Sequence, residues 1–537
     1  MSDAQRNRRD PAPARDALPW WLGAAVPSGV VALAAAPLIA AGSMAGRGAF
    51  DQINYHEPMI RRFAESWPSL DFSDYLSATT PAYHVALAWV AHVWPGSAES
   101  APGWAMRAVG LMFAVLAAGL LGGMVAKRAG AAVGASCGLL LGLGVYAFAS
   151  AAWLLPDNAG WAAVLCVLAI CLRERAGPGW LIAAGAGVVA VVVIRQSHLW
   201  TAGVVWAAGW LWAARWDGWG RARSGRSSGG RSEPWEDVLP LLSLWPRGLL
   251  GIGVGVAATV PALGVMGWFS ALWDGFVPPI YQGYMQGGNA AVVPLVFLQL
   301  AIFGAFFLGF WVPALVDAWR EADGGRRRAL ALAFAGAVVV GLVIAVVPAT
   351  NWDKDAGRWS GYWNLTRVLP DLAGRTNAAF LVACPAGAVA LLGLLRAADA
   401  RSRWVLLGAL VAATAALAAN QNAWQRYTEP MLVIVVSLLA ASAAGVRTGA
   451  WKLERAARVA GPAAMAALFA GLTAVTLARS PDAVLLDTHP RVPTPLRTLW
   501  PESWQASPPE AWAGWDREGA VSGTGDAEAS PAGDPEP

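Results

Sequence analysis

Between Trp21 and Ala478 the chain is a succession of apolar runs about twenty residues long. As helices rising about 1.5 Å per residue, such runs cover the roughly 30 Å of a bilayer's hydrocarbon. Lipid offers no hydrogen bonds, so each crossing segment must satisfy its backbone internally, which a helix does. Composition agrees: 56% of the 537 residues are hydrophobic, 14% are charged and the mean hydropathy is +0.45. Those values exclude a soluble domain and predict an all-α polytopic membrane protein.

The net charge of +4 and pI near 9.0 do not indicate nucleic acid, because the basic residues lie in short loops between apolar runs, where membrane topology puts them. Cys137, Cys166, Cys171 and Cys384 fall in or at the ends of apolar segments without metal-ligand spacing, and read as packing residues. The apolar segment behind the basic N-terminus is too long for a signal-peptide core, so it reads as a retained first helix.

Basic clusters at Arg6 to Arg15, Lys127-Arg128, Arg173 and Arg175, Arg215 to Arg231, Arg320 to Arg328, Arg396 to Arg403 and Arg447 to Arg458 all fall on one side if the chain crosses at about 22–45, 104–126, 130–151, 157–172, 178–194, 198–214, 247–272, 292–318, 329–349, 377–395, 404–420, 430–446 and 459–478. That gives about 13 transmembrane helices, a basic N-terminus (1–20) and a linker (215–246) in the cytoplasm, and loops 46–103 and 350–376 outside. The parity requires Pro81 to Pro95, with His84 and His92, to lie at the interface rather than cross. The Pro/Ala/Asp/Glu-rich stretch 479–537 reads as a disordered outer tail.

Chemistry-bearing residues gather in the outer loops. The first holds Asp51, His56, Glu57, Glu65, Asp71 and Asp74, then S-A-T-T-P ending at Pro81. Asp51 sits where the first helix leaves the membrane, where a half-shielded carboxylate suits a general base; Glu65 and Asp71 also read as ordinary loop solvation. In V-V-V-I-R-Q-S-H-L-W, Arg195 and Gln196 interrupt an apolar stretch of roughly thirty-five residues that must hairpin back. An arginine there is costly unless it meets an anion or marks a boundary. Asp353, Lys354, Asp355, Arg358, Tyr362 and Arg367, and later Arg426, Tyr427 and Glu429, put arginine beside aromatics on the outer side. That pairing suits a phosphate or sugar ligand. No P-loop, H-E-x-x-H or G-x-S-x-G signature appears where it could work.

In this order, an acidic residue followed by H-x-P, a T-T-P turn before a short helix, R-Q-[ST] at a helix end and a late R-Y, the sequence resembles the dolichyl-phosphate-glucose alpha-1,2-glucosyltransferase family. The matching stretches are D-Q-I-N-Y-H-E-P, S-A-T-T-P-A-Y, I-R-Q-S-H-L-W, D-A-G-R-W-S-G-Y-W and Q-R-Y-T-E-P, spread over most of the membrane domain. Where the family has an acidic pair this chain has Asp51-Gln52, its H-x-P lies one residue later, and Trp359 stands where a histidine is expected.

The resemblance implies a GT-C-like catalytic domain over 21–478, with interfacial helices in the first outer loop. It also implies a polyprenyl-phosphate sugar donor, a lipid-linked or other glycan acceptor, and no cofactor or metal. By the same resemblance Asp51 would be the base with His56 and Glu57 beside it. Arg195, Gln196, Arg358 and Arg426 would hold the donor phosphate, and Asp74, Thr80, Asp355, Tyr362 and Tyr427 would line the substrate site. Composition leans towards a bacterial cytoplasmic membrane with the site facing outward. Gly-rich stretches such as G-L-L-L-G-L-G and G-I-G-V-G-V-A read either as a groove for the prenyl tail or as helix contacts. Three alternatives stay open: a mannosyl- or aminoarabinosyl-type transferase, a transporter or lipid flippase, and an inactive scaffold. A transporter would carry its ionisable groups near the midplane at broken helices, whereas these apolar segments hold few charges.

Overall fold

The computed structural model describes residues 18–95, 103–173, 177–215, 245–279, 281–282, 287–354, 356–444, 452–480 and 482. The basic N-terminus to residue 17, most of the 215–246 linker, Asp355 and nearly all of the 479–537 tail lie outside these residues.

The chain begins with α1 (Leu22–Ala40) and enters the first loop, built from α2 (Arg47–Asp51), a π-helical turn (Gln52–His56), α3 (Glu57–Glu65) and α4 (Ala82–His92). There follow α5 (Gly103–Ala129), α6 (Ala131–Gly142), α7 (Val145–Ala152), α8 (Asp157–Cys171), α9 (Pro178–Ile194), a 3-10 turn (Gln196–Trp200) and α10 (Thr201–Arg215). The second half comprises α11 (Trp245–Trp273), α12 (Val292–Phe306), α13 (Leu308–Glu321), α14 (Gly324–Val346), α15 (Ala378–Ala397), α16 (Ala400–Ala418), α17 (Gln425–Ala443) and α18 (Lys452–Arg479). A two-residue antiparallel pair, β1 (Asp371–Leu372) with β2 (Thr376–Asn377), interrupts the helices in the 350–376 loop, so the chain is helical but not purely so.

Eight of these helices are long and apolar enough to cross a bilayer: α1, α5, α11, α14, α15, α16, α17 and α18. The protein is an integral multi-pass membrane protein. The expected spans 130–151 and 292–318 are each broken: α6 and α7 meet at 71°, and α12 and α13 at 81°, which raises the number to ten if each bent pair crosses once. The expected spans 157–172, 178–194 and 198–214 become α8, α9 and α10, of 15, 17 and 15 residues, short of a full bilayer at helical rise. Among the described residues, eight to ten spans qualify by length and composition, and the expected count of thirteen is not reached by that measure. α4, of 11 residues, is too short to cross, as the topology required.

Small residues let the helices close on one another. A Cβ on Gly122 of α5 would lie 2.1 Å from the Gly23 carbonyl oxygen of α1, and one on Gly142 would lie 2.4 Å from Val31. The second glycine belongs to G-L-L-L-G-L-G, and in G-I-G-V-G-V-A the Gly251 carbonyl abuts Gly209; both stretches make helix contacts. Cys137, Cys171 and Cys384 are buried as packing residues, whereas Cys166 is exposed, on the outward side of α8.

The bundle has two chemically different ends. At one, Lys127 lies over Trp20, Arg128 donates to Ser402, Arg401 donates to the Cys171 carbonyl and Arg458 to that of Ala444. At the other, the start of α8, the end of α9, the start of α17 and the first loop converge. Gly122→Val is expected to drive α1 from α5 and lower stability by about 1–3 kcal/mol, the usual cost of overpacking, read as a fall in the thermal midpoint in detergent. Gly253→Val, with open space at its Cβ, should leave the midpoint within about 0.5 kcal/mol of wild type.

Candidate active site

Four charged side chains from four elements meet at the second end. Asp157 is the first residue of α8, just after Pro156, and is 4% exposed. Its Oδ1 accepts from Arg195 Nη1, and its Oδ2 accepts from Arg426 Nη2 at 2.9 Å. Arg426 uses Nη1 to reach Asp51 Oδ2 at 2.7 Å. A carboxylate at a helix start is favoured by the unpaired backbone N–H groups there, and two guanidiniums then satisfy its remaining lone pairs.

Local sequence explains how each member is aimed. After the apolar α9, Arg195 adopts an extended conformation (φ −154°, ψ 105°) that breaks the helix and turns its side chain back towards α8, braced by Ser197 Oγ at 3.3 Å. Tyr427 presents its ring 5.0 Å from the Arg195 guanidinium carbon. The corner between α7 and α8 is pinned by Asn158 donating to the Ala147 carbonyl at 2.8 Å and Ser150 donating to that of Leu155 at 2.9 Å. In the first loop, the π-helical turn widens the helix directly after Asp51, a distortion often found at functional sites.

Glu57 is engaged elsewhere: Oε2 accepts from Gln52 at 2.8 Å and Oε1 from Arg61 at 2.6 Å, while Gln52 Oε1 takes the Leu154 N–H at 3.2 Å. These bonds clamp the first loop onto the α7–α8 corner. Gln196 donates to the Ala78 carbonyl at 2.9 Å, and the Thr80 hydroxyl donates to that of Val192, so both tie the loop to the end of α9. His56 is buried beside the cluster, and burial together with the Arg426 charge pushes its pKa down to about 3. His198 is likewise held near 3, by burial and then by Arg195.

Other expected residues stand apart. Arg358 spends its donors on its own hairpin, giving Nε to the Asn351 carbonyl at 2.9 Å and Nη2 to Asn351 Oδ1 at 3.0 Å, with Asp353 at 3.3 Å. Asp74 is exposed and lies 3.9 Å from Arg62. Asp355 lies outside the described residues. The Tyr362 backbone N–H donates to Gln425 Oε1 at 2.8 Å, which docks the 350–376 loop on the start of α17. Trp359 meets Trp424 edge-on at 6.1 Å.

Asp157, the hub, is absent from the expected set. Its signal was an acidic residue in P-D-N-A-G at the head of an apolar helix, indistinguishable there from an ordinary helix start. Two further buried charges occupy helices read as charge-poor: Arg107 in α5, which donates to the Ser43 carbonyl at 3.0 Å, and Glu429 in α17, which accepts from Gln425. Among the described residues no group of three or more His, Cys, Asp or Glu side chains could hold a metal ion.

The arrangement holds two carboxylates and two guanidiniums at near charge balance. Arg195 Nη2 and Arg426 Nε carry no hydrogen bond within the described residues, and only one Asp51 oxygen is taken. It can receive an anionic group on the free N–H donors and a proton on the free carboxylate oxygen.

No protein-family model matches the chain, and no curated protein matches it significantly. Among solved structures, the crystal structure of ArnT from Cupriavidus metallidurans in the apo state is similar over 78% of this chain and 77% of its own, at 16% identity and a TM-score of 0.34. That likeness is too loose to carry an argument about fold or chemistry.

Arg426→Ala strands Asp51 and half of Asp157, and is expected to cost about 3 kcal/mol in thermal unfolding. Adding Asp157→Asn should recover part of the loss, since the surplus buried charge goes with it. The pH response follows from the histidines. With folded values near 3 for His56 and His198 against 6.5 for the unfolded chain, only the unfolded state takes up protons between those limits. Stability should therefore fall as pH drops from about 6.5 towards 3, and His56→Gln should flatten the slope of midpoint against pH.

Proposed function

We propose that the protein is a GT-C-type membrane glycosyltransferase that moves a hexose, glucose foremost, from a polyprenyl-phosphate sugar to a hydroxyl of a lipid-linked or other glycan. The observation that carries this reading is the Asp51–Arg426–Asp157–Arg195 cluster at the end of the bundle away from most of the basic loop residues. By the positive-inside rule that end faces outward, in a bacterium away from the cytoplasm.

In this reading the donor phosphate lies on the free N–H groups of Arg195 and Arg426, which stabilise the charge that builds as the lipid phosphate departs. The free oxygen of Asp51 takes the proton from the acceptor hydroxyl as its oxygen attacks the anomeric carbon. Asp157 holds both arginines in place and keeps their charges from repelling each other. An open apolar groove lined by Trp67, Phe72, Trp89, Val193 and Trp268 runs beside the end of α9, two residues from Arg195, and suits the prenyl tail.

One feature favours a second reading, that of a transporter: the bend between α6 and α7 lies against Glu429, whose Oε1 sits 3.3 Å from a Cβ built on Gly144. A buried carboxylate at a broken helix is the setting of coupled ion sites. Against that reading, the Glu429 carboxylate accepts from Gln425 in its own helix, and Gln425 in turn docks the 350–376 loop, a bonding pattern that suits a side chain fixing a loop.

The protein in nanodiscs, given radiolabelled polyprenyl-phosphate glucose and a membrane glycolipid extract, should transfer label. Asp51→Asn should lower the rate at least about 100-fold, the usual contribution of a positioned base, while KM for donor changes little. Failure of the wild type with glucose, mannose and aminoarabinose donors alike would overturn the transferase reading.

A further inference from the structure

A small, largely closed cavity lies against the charged cluster, lined in part by Asp157, Arg195, Ser197 and His198. It leaves about 10 Å³ for the centre of a water-sized atom, which is room for one oxygen. Arg195 and His198 are 6% and 5% exposed, whereas Ser197 is exposed. The His198 ring packs on Trp161 with centroids 4.5 Å apart, and Trp200 Nε1 donates to its Nδ1 at 3.2 Å. An indole nitrogen can only donate, so His198 Nδ1 carries the lone pair. Burial and the Arg195 charge keep the ring neutral, which leaves the proton on Nε2. That N–H is buried and meets no acceptor among the described residues. Gly160 keeps it uncovered: a Cβ there would lie 3.0 Å from the nitrogen, closer than ordinary contact.

The cavity wall is rich in donors and poor in free acceptors. Arg195 Nη2 and His198 Nε2–H have no partner among the described residues, and the Ser197 hydroxyl, which accepts from Arg195 Nε at 3.3 Å, keeps its own proton to give. Asp157 supplies acceptor oxygens, but each already takes a guanidinium N–H. A water here would satisfy the donors while finding few places for its own two protons. A ligand oxygen that only accepts matches the wall better, and the oxygens of an ionised phosphate are of that kind.

We propose that this cavity is the seat of one non-bridging oxygen of a prenyl-linked phosphate, held by His198 Nε2–H and Arg195 Nη2. That the phosphate carries a sugar rests on the transferase reading; the phosphate seat does not. The seated oxygen stays in place when the bond from the anomeric carbon to the bridging oxygen breaks, so His198 binds donor and departing lipid phosphate alike. Such uniform binding sets affinity rather than the rate of the chemical step.

The probe is farnesyl phosphate, a short prenyl phosphate, added to full-length protein carrying 15N-histidine in nanodiscs, with the five histidines assigned by replacing them one at a time. The free wild type should show His198 protonated at Nε2 and bare at Nδ1, and farnesyl phosphate should move the Nε2 resonance. A proton on Nδ1, or a His198 signal indifferent to saturating farnesyl phosphate, overturns the proposal without recourse to any variant. So does an equal response to farnesol, which lacks the phosphate, or a response to inorganic phosphate and not to the lipid. His198→Phe should raise Kd for farnesyl phosphate and KM for donor roughly ten- to a hundredfold, the loss of one hydrogen bond to a charged group, with kcat nearly kept. His198→Gln, which returns an N–H near the Nε2 position, should recover part of that affinity, whereas a purely structural role would leave the two variants alike. A folded His198→Phe that binds farnesyl phosphate as tightly as wild type overturns the seat and leaves the transferase reading intact. Wild type whose His198 signal responds to farnesyl phosphate but which transfers no sugar supports the seat and sinks the transferase reading.

Discussion

The bond from Arg426 to both Asp51 and Asp157 is the contact on which the functional end of the molecule depends. Each carboxylate alone is a poor guest in a half-dry setting, and so is each guanidinium. Bringing the four together gives every charge a counter-charge, which converts a solvation cost into geometric constraint. The constraint is specific. Asp51 reaches the cluster because a π-helical turn follows it, Asp157 because a helix starts there, Arg195 because α9 stops there, and Arg426 because α17 begins beside them.

Around this network the first loop acts as a brace. Gln52, Glu57 and Arg61 join it to the α7–α8 corner, Thr80 and Gln196 join it to the end of α9, and Tyr281 donates to the Leu76 carbonyl at 2.6 Å. Several side chains that read as chemistry in the sequence thus serve to hold others. The functional end is rigid because its polar groups are mostly committed to one another, and the few left uncommitted stand out for that reason.

Hydropathy made the membrane class and the positions of most helices legible, because both depend on composition over windows of about twenty residues. It does not register direction, so the bends at Leu143 and Phe307 turned two expected spans into broken ones. Arg195 was legible because a charge in an apolar stretch has few innocent explanations. Asp157 was not, since an acidic residue at a helix start needs no partner to justify it, and its partners lie 38 and 269 positions away. Arg358 illustrates the converse: the sequence displays a guanidinium, but its own hairpin takes up its donors, a fact that only three-dimensional structure records.

Arg426 and Asp51 are separated by 375 positions. During synthesis, the first loop, α8 and the end of α9 are all made long before α17 leaves the ribosome. Until then Asp157 has Arg195 alone, and Asp51 has no cation from the cluster to meet. The centre is therefore completed late in the birth of the molecule, and a chain truncated ahead of α17 carries three of its four charges but not the one that joins them.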